Sequence, residues 1–406
     1  MCRVSWIVAI KLAWIRTARV WDRIVLAVFQ RALFRSLRPN DNTIQRIVVY
    51  RIGNIGDILV TLPTLAAIRD RFPTAHITLL TSPGQKGAPG AADLLPMGKW
   101  HDGIIVYFLS EVQDWQGRRK LLANIRESRF DLFVQLPNQQ SRTRDELRNM
   151  LFARLAGCRK TAGFAVSQQG YFLREQTLHI PQIQEARRIF DSVVRPLGLG
   201  RYSEVLLPVS ARSRSRVAEL LRRRGISSDE PFVVLHAGAK RQTNQWPSER
   251  YATVADEIIR KWRAPVVLTG SNTELPIIRD IVSAMTEPVT SVCGEIDLDE
   301  MIALLELASL YIGNDTGPMH LAAAVGTPTV SIFSARDFPE RWRPMGTPHT
   351  VLRHDAPCSP CFKETCDRNM ICIKAIGVEE VTTAISQTLI HLETARKNTQ
   401  WEGQLT

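Results

Sequence analysis

The stretch IVVYRIGNIGD, residues 47–57, places two glycines and an acid where an apolar strand leads into an amphipathic helix. Glycines allow a tight turn and a close approach to the backbone. The start of a helix is electropositive and suits an anion, whereas Asp57 would repel one. Its carboxylate therefore either caps the helix or takes part in chemistry. The spacing is G-x-x-G and not the G-x-G-x-x-G of dinucleotide-binding proteins, so this stretch alone leaves both interpretations open.

From residue 45 onward, apolar strands alternate with helices in two successive series. Such Val-, Ile- and Leu-rich strands are typical of parallel sheets covered by helices. The sequence therefore predicts an α/β protein with two Rossmann-like, doubly wound domains, with ligands at the carboxyl ends of the strands in a cleft between the domains. The predicted strands are 44–50, 76–81, 103–108, 130–136 and 160–164, then 231–239, 264–270, 289–294, 310–314 and 328–334. The predicted helices are about 57–72, 114–127, 144–156 and 183–197, then 248–262, 273–285, 298–308 and 317–325.

A basic N-terminal extension precedes these domains. The sequence predicts this extension over residues 1–40, an N-terminal domain over 45–205, a C-terminal domain over 228–380, and a final helix and tail over 381–406. The first 38 residues hold eight Lys or Arg and one acid, Asp22. On a helical projection, one side carries Trp14, Trp21, Val25 and Val28, and the other carries Arg16, Arg19, Arg23 and Gln30. This pattern favours a helix lying in an anionic membrane interface, and packing on the protein itself or on a partner is the alternative.

Composition and charge narrow the class of protein. The 406 residues are 45% hydrophobic and 23% charged, as in ordinary globular proteins. A net charge of +12 favours acidic partners, but basic runs interleaved with aromatics are few outside the extension, so we expect no nucleic-acid partner. The sequence contains no run of about 18 apolar residues, so we expect no transmembrane helix. Nothing resembles a secretory signal, so we expect a cytoplasmic protein, peripheral at the inner membrane.

Two polar, glycine-rich turns follow strands early in the second series. The first, HAGAKRQTNQW at 236–246, offers Lys240 and Arg241 to neutralise phosphate, or is a solvated loop. The second, LTGSNTE at 268–274, passes Gly270 and ends in Glu274. The Glu274 carboxylate either binds ribose hydroxyls or caps the next helix.

The third turn, within GNDTGPMHLAAAVGTP at 313–328, presents Asp315 and Thr316 ahead of Gly317, where a helix opens. Backbone N–H groups at a helix start suit a diphosphate. His320 lies in the first turn of that helix and can point at the same anion. A structural role for this histidine is the alternative.

Taken together, RIGNIGD followed by LPTL, HAGA followed by W-P, and NDTGPMHLAAAVGTPTVSIF resemble glycosyltransferase family 9, the ADP-heptose:lipopolysaccharide heptosyltransferases, over about residues 45–390. The resemblance implies a GT-B fold with the acceptor on the N-terminal domain and the nucleotide-sugar donor on the C-terminal one. It also implies inversion at the sugar without a catalytic metal. Asp57 would be the catalytic base that takes the proton of the acceptor hydroxyl, with Gly53, Asn54 and Gly56 beside the acceptor.

The resemblance also implies a donor site. ADP-heptose is the favoured donor and a lipid-linked saccharide the acceptor. The donor-site residues would be His236, Gly238, Lys240, Arg241, Asn244, Gly270, Glu274, Asp315, Thr316, Gly317 and His320. Glu274 matches the ribose-binding acid of the family. One position departs from the pattern, because the lysine that usually serves the phosphates two residues before the tryptophan of W-P is Asn244 here. Lys240 and Arg241 are the available substitutes, and the identity of the donor and the level of activity stay open.

Two further clusters have no settled role. Cys358, Cys361, Cys366 and Cys372 form a C-x2-C-x4-C-x5-C pattern that either holds a structural zinc or packs as a reduced loop. Arg142 and Arg144 follow the strand at 130–136 and are candidates for binding acceptor phosphates or carboxylates, or belong to a solvated helix face.

Two other functions remain open at this point. One is a non-catalytic GT-B protein that binds a saccharide or a partner, with which Asn244 is consistent. The other is a Rossmann-type oxidoreductase, and the missing G-x-G-x-x-G motif argues against it.

Overall fold

The computed structural model describes residues 2–37, 41, 43–139, 141–166, 183–346 and 348–402. The chain divides into two compact units, Met1–Val205 and Leu206–Thr406. Each unit is built around one parallel sheet. The prediction of two parallel α/β sheets is therefore confirmed.

The sheet of the first unit has five parallel strands in the order β3-β2-β1-β4-β5. The strands are β1 (Arg46–Ile52), β2 (His76–Ser82), β3 (Gly103–Val106), β4 (Leu132–Gln135) and β5 (Lys160–Ala162). Strand β1 is central, and its Tyr50 pairs with Leu80 of β2 and with Gln135 of β4. Since all five strands are parallel, the turns after β1 and β4 come out at the same edge of the sheet.

Helices cover this sheet. They are α2 (Ile55–Leu59), α3 (Leu62–Arg71), α4 (Ala91–Leu94), α5 (Trp115–Glu127), α6 (Thr143–Leu155) and α7 (Glu185–Leu197). The single helix predicted over residues 57–72 was wrong, because α2 ends and α3 begins within that range. Pro63 explains the break. In one continuous helix its ring would clash with the Leu59 carbonyl, whereas in the first turn of α3 it is tolerated.

The sheet of the second unit has six parallel strands in the order β11-β10-β9-β6-β7-β8. They are β6 (Val233–His236), β7 (Val266–Thr269), β8 (Thr290–Ser291), β9 (Leu310–Asn314), β10 (Thr329–Phe333) and β11 (His349–Arg353). Strand β11 was not predicted. All five of its residues are partly exposed, so it lacks the apolar run that marks the other strands.

The helices of the second unit include the four predicted between residues 248 and 325 and the predicted C-terminal helix, whereas the short helix at 371–374 was not predicted. They are α8 (Ala211–Arg223), α9 (Ser248–Trp262), α10 (Leu275–Ala284), α11 (Leu298–Leu307), α12 (Gly317–Ala324), α13 (Ile371–Lys374) and α14 (Val378–Glu402). Helix α12 starts directly after β9, so the turn between them lies at the carboxyl edge of the sheet together with the turns after β6 and β7.

A buried asparagine forms hydrogen bonds to the turns at this edge of the sheet. Asn314, at the end of β9, accepts hydrogen bonds from the Trp246 backbone N–H at 3.2 Å and from the Tyr251 hydroxyl at 2.9 Å. Its amide donates to the Ala237 carbonyl at 2.8 Å. The tryptophan of the W-P pair is thus held against the turn that follows β6.

The N-terminal extension is a long helix, α1 (Cys2–Leu33), that packs on the first unit. Its Leu26 is 5% exposed and joins a core cluster with Phe133. The Gln30 side chain donates to the Thr161 carbonyl of β5 at 3.1 Å. The helix is confirmed, but Gln30 of its predicted polar side faces the protein, whereas Arg23 of that side is exposed. Within the described part of the chain, no helix is both long and apolar enough to cross a bilayer.

Candidate active site

The Asp57 carboxylate lies in the first turn of α2. Its Oδ2 accepts the Asn54 backbone N–H at 3.2 Å, which is a capping contact. Its Oδ1 lies 3.5 Å from the Arg51 guanidinium. The side chain keeps 21% of its surface exposed. The carboxylate is thus fixed by contacts with the backbone and with Arg51 and is still open to a ligand, so capping and chemistry do not exclude each other.

Gly53 makes this arrangement possible. It adopts a φ of +141°, and a Cβ placed there would lie 2.2 Å from the Asp57 Cβ. No side chain can occupy that space without displacing the carboxylate. Gly53 and Asn54 therefore shape the position of Asp57, and Gly56 lies within α2 itself.

Arg51 is the buried partner of Asp57, and no sequence pattern marks it as a site residue. It is 4% exposed, and its Nη1 donates to the Pro137 carbonyl after β4 at 2.6 Å. Its Nη2 lies 3.9 Å from the Glu185 carboxylate, and Glu185 in turn binds Arg188 at 2.6 Å. The Arg188 guanidinium reaches the same Pro137 carbonyl at 2.9 Å. A buried ionic network therefore links Asp57 to α7.

The signal for this network was present but ambiguous. Glu185 and Arg188 stand three residues apart, which on a helix resembles an ordinary surface pair. Because the pair is buried next to β4, it contacts the Pro137 carbonyl and Arg51 and not solvent. A second buried acid, Glu146 of α6, lies within electrostatic reach of Arg188, and burial raises the pKa of Glu146 to about 7.

The two predicted acceptor arginines lie at the start of α6. Arg142 precedes the helix and its backbone N–H donates to Asp145 at 3.2 Å. Arg144 is strongly exposed, and its guanidinium is 3.8 Å from Asp145. Both side chains are available at the surface, and their role as acceptor ligands stays a prediction.

The turns after β6 and β7 meet around Glu274. Its Oε2 accepts the backbone N–H and the hydroxyl of Ser271 at 2.7 and 2.8 Å, so Glu274 caps the short helical turn Asn272–Glu274 in which it lies, and not α10. Its Oε1 lies 3.8 Å from His236. A Cβ at Gly238 would lie 1.8 Å from this oxygen, and one at Gly270 would lie 2.9 Å from the Cys293 sulfur. Both glycines thus allow the two turns to approach closely.

Asn244 is tied to the turn after β9. Its amide donates to the Asp315 carbonyl at 3.1 Å and lies 3.4 Å from the Asp315 carboxylate. Its Oδ1 accepts the Ser334 hydroxyl at 2.7 Å. The side chain is buried. Asn244 therefore orders the Asp315 turn, and burial together with the Asp337 carboxylate raises the pKa of Asp315 to about 7.

His320 occupies the first turn of α12, behind Thr316 and Gly317. The ring is buried and contacts Trp342 with 5.9 Å between ring centroids. Burial lowers the pKa of His320 to about 4, with His349 contributing, so the imidazole is neutral at pH 7. Among the described residues its Nδ1 has no hydrogen-bond partner. A buried polar atom of this kind is costly unless a ligand or water satisfies it.

Cations near Asp315 include one that the sequence analysis did not single out. Arg336, which follows β10, is buried and acts electrostatically on Asp315 together with Arg241. Both arginines contact Glu364, Arg241 at 2.8 Å and Arg336 at 3.5 Å. Lys240 is exposed. Arg336 lies far along the sequence from the HAGA motif, so no local pattern indicated it.

The four clustered cysteines follow β11, and Cys372 lies within α13. Among the described residues, no group of three or more His, Cys, Asp or Glu side chains could hold a metal ion. Cys358 is buried, and the Cys366 sulfur accepts the backbone N–H groups of Arg368 and Met370 at 3.3 Å each. The possible structural zinc is therefore not supported, and the alternative of a packed, reduced loop fits the geometry.

The two parallel sheets and their glycine-rich strand-end turns define a protein with a GT-B-like fold. The chain belongs to glycosyltransferase family 9 (heptosyltransferase), whose family model matches residues 118–371. The resemblance found in the sequence is thus confirmed. This family assignment makes the chain a glycosyltransferase of the heptosyltransferase family.

Individual relatives agree with the family. The chain is 24% identical over 346 residues to lipopolysaccharide heptosyltransferase 3 of Escherichia coli, covering 82% of this chain and 96% of that protein. The fold is similar to the crystal structure of a family 9 glycosyltransferase from Veillonella parvula, with a TM-score of 0.71 at 21% identity over 88% of this chain and 100% of that one. It is also similar to E. coli heptosyltransferase WaaC with ADP-2-deoxy-2-fluoro heptose, with a TM-score of 0.59 at 15% identity over 84% and 99% of the two chains.

Proposed function

We propose that this chain is an inverting heptosyltransferase. It transfers heptose, or a related sugar, from a nucleotide diphosphate, with ADP-heptose favoured, to a saccharide of the lipopolysaccharide core or another envelope saccharide. The relatives named for lipopolysaccharide heptosyl transfer support this class of substrates. The solved relative bound to an ADP-heptose analogue supports the donor.

Asp57 carries the chemistry in this proposal. The acceptor oxygen attacks the anomeric carbon while Asp57 takes the hydroxyl proton, and the bond to the diphosphate breaks on the opposite side of that carbon. A single displacement inverts the configuration and needs only one carboxylate. The observation that carries the proposal is the Asp57 side chain, which Gly53, Asn54 and Arg51 hold in one position while its carboxylate stays open to ligand.

The leaving diphosphate needs positive groups or hydrogen-bond donors, and the mechanism proceeds without a metal. The N–H groups at the start of α12 supply donors. His320 is neutral and contributes a hydrogen bond through Nδ1, which has no partner among the residues that the structure describes. Arg241 and Arg336 supply the charge that the family's lysine would bring, since Asn244 is occupied in holding Asp315. The reaction takes place on the cytoplasmic side of the inner membrane, where a lipid-linked acceptor is anchored.

Donor turnover tests the proposal. Purified protein is incubated with ADP-heptose, or with other nucleotide sugars, and a deacylated core saccharide, and release of nucleoside diphosphate is followed. The Asp57→Asn variant should lose at least about 100-fold in kcat, because general-base catalysis contributes roughly 10² to 10⁴.

Asp93→Asn is the matched control, because Asp93 also caps a helix in the first unit, accepting the Gly90 N–H at 2.9 Å. If kcat fell equally in both variants, the role of Asp57 would be limited to capping α2. Release from a different nucleotide sugar would keep the mechanism and change the donor. If the protein binds ADP but releases no nucleoside diphosphate from any donor, a non-catalytic protein is favoured. The hydrogen bond of Asn244 to Asp315 is consistent with that alternative.

A further inference from the structure

Helix α1 exposes its apolar face. A helix on a globular protein ordinarily buries its apolar stripe and shows polar residues to solvent. Here the side with Leu26 and Gln30 packs on the first unit. The opposite side carries Trp14 and Trp21, which are 66% and 62% exposed. Among the described side chains of α1, the other strongly exposed apolar residues are Val20, Ile24, Val28 and Phe29.

The spacing shows that this is one continuous stripe. Trp14, Trp21 and Val28 recur every seven residues, and Ile24 lies between them at intervals of three and four. Residues with these spacings share one face of a helix. A continuous exposed apolar stripe of this kind marks a surface that meets an apolar environment.

The neighbouring helix α6 adds a second exposed stripe. The Thr143 hydroxyl of α6 hydrogen-bonds to Asp22 of α1, which joins the two helices. Leu151 and Leu155 of α6 are more than half exposed. They lie on the same helical face as Arg144 and Arg148, whose guanidinium groups are largely in solvent. The exposed stripes of α1 and α6 together form the two-helix surface.

The charge of the two-helix surface is positive. The first 38 residues contain eight basic residues against one acid. That acid, Asp22, is partly buried and engaged with Thr143. Arg23 and Arg31 of α1 are exposed. Exposed tryptophans and aliphatic residues beside arginines match a boundary where hydrocarbon meets anionic headgroups.

We infer that the two-helix surface docks on an anionic lipid bilayer, with Trp14, Trp21 and Val28 entering the boundary between headgroups and acyl chains. The exposed arginines contact lipid phosphates, and they are Arg23 and Arg31 of α1 and Arg144 and Arg148 of α6. A second copy of the chain fits less well, because pairing two such surfaces would bring like charges together. The inference deepens the proposed location at the membrane, but its test needs neither donor nor acceptor.

Vesicle flotation of the full chain is the experiment. Vesicles of pure phosphatidylcholine are compared with vesicles in which about 30% of the lipid is anionic phosphatidylglycerol. We expect binding to the anionic vesicles to exceed binding to the neutral ones at least about tenfold, and to fall as salt rises.

Two sets of variants locate the surface. Trp14→Ser with Trp21→Ser should reduce binding to anionic vesicles at least about tenfold, since both apolar anchors are lost. Trp115→Ser is the matched control, because Trp115 is 64% exposed on α5 of the same unit and outside the two-helix surface. Arg144→Glu with Arg148→Glu should weaken binding, whereas Arg222→Glu with Arg223→Glu, at exposed positions of α8, should not.

Three outcomes would overturn the inference. They are no binding to any vesicle, equal losses for Trp115→Ser and the double tryptophan variant, and a dimer in light scattering that the double variant abolishes. The last outcome would assign the surface to self-association. Because a catalytically dead Asp57→Asn protein should float as the native chain does, a failed transferase assay and a failed docking test remain distinguishable.

Discussion

The Arg51 guanidinium stands between two carboxylates, 3.5 Å from Asp57 and 3.9 Å from Glu185. Asp57 is open to ligand, whereas Glu185 is fully buried and also bound by Arg188. Arg51 thus connects the partly exposed Asp57 carboxylate, in the turn after β1, to the buried Glu185 of α7. It is a positioning residue for Asp57 and is not itself expected to touch the substrate.

Replacing Arg51 by Gln should lower kcat and stability together. Removing one member of a buried ionic network costs about 3–5 kcal/mol, because a charge is left without compensation. Arg51→Lys keeps the charge but loses the guanidinium geometry that reaches the Pro137 carbonyl. We expect it to recover most of the melting temperature and only part of kcat, with KM for the donor unchanged. A kcat equal to that of the native enzyme in a folded Arg51→Gln protein would remove the positioning role.

Gly53→Ala should inactivate the enzyme through Asp57. The added methyl group would collide with the Asp57 side chain at 2.2 Å, in a backbone conformation with φ of +141°. Gly157→Ala is the matched control, since Gly157 has a φ of +89° with nothing within 4 Å of the added atom.

Both substitutions carry a backbone penalty of about 1–3 kcal/mol, visible in thermal unfolding, but only Gly53→Ala should lower kcat strongly. Similar activity in the two variants would show that the position of Asp57 tolerates displacement.

Donor binding should weaken as pH rises through 7. Burial and Asp337 raise the pKa of Asp315 to about 7, so the carboxyl is mostly neutral at pH 6 and mostly ionised at pH 8. The ionised form repels a diphosphate. An ADP-sugar is the suitable probe, because its diphosphate has no terminal phosphate that titrates in this range. Calorimetry should show affinity falling by up to about tenfold between pH 6 and 8.

Asp315→Asn should flatten this profile. The same shift affects folding with a defined sign. Between the unfolded pKa near 3.9 and the folded pKa of about 7, the folded state keeps a proton on Asp315 that the unfolded state loses. The stabilisation from Asp315 is therefore fully present below the unfolded pKa and is lost as pH rises through 7. A pH profile that is identical in the Asp315→Asn variant would assign the dependence to another group.

Arg336 and Glu364 should have opposite effects on donor affinity. Arg336→Met removes a buried cation near Asp315, and we expect ADP-sugar affinity to fall about tenfold, since hydrogen bonds to charged groups contribute about 1.5–3 kcal/mol. Glu364→Gln removes the carboxylate that contacts both Arg241 and Arg336, so affinity should rise.

Arg343→Met is the control, because Arg343 pairs with Glu340 at 3.0 Å in the same unit. If Arg336→Met binds donor as tightly as Arg343→Met does, another group supplies the charge for the diphosphate.

The sequence predicted the sheets well because parallel strands buried on both faces leave long apolar runs. The β9–α12 boundary followed from Asn314 and Gly317, where a buried strand meets a helix start. The break at Pro63 could have been read from the proline itself, whereas β11 carries no such signal. In the site, Asp57 and Asp315 were found because motifs mark them.

Arg51, Glu185 and Arg336 were missed for a physical reason. Their roles depend on burial and on neighbours that lie far away in the chain, as with Arg51 and Pro137, 86 positions apart. Charged residues are ordinarily solvated, so a sequence gives no sign that a particular one is enclosed. The outward apolar face of α1 differs from these residues, because the sequence pattern did mark it. The periodicity revealed both sides of the helix, and only the packing shows which side faces the protein.

The hydrogen bonds of Asn314 have a consequence for how the second unit moves. One side chain joins the ends of β6 and β9 to the start of α9, across separations of up to 77 residues. The glycine-rich turns therefore cannot loosen one at a time, and the amide proton of Trp246 should exchange with solvent only in a cooperative opening of the whole unit. A ligand that binds these turns would slow that exchange throughout the sheet, including at strands it never touches.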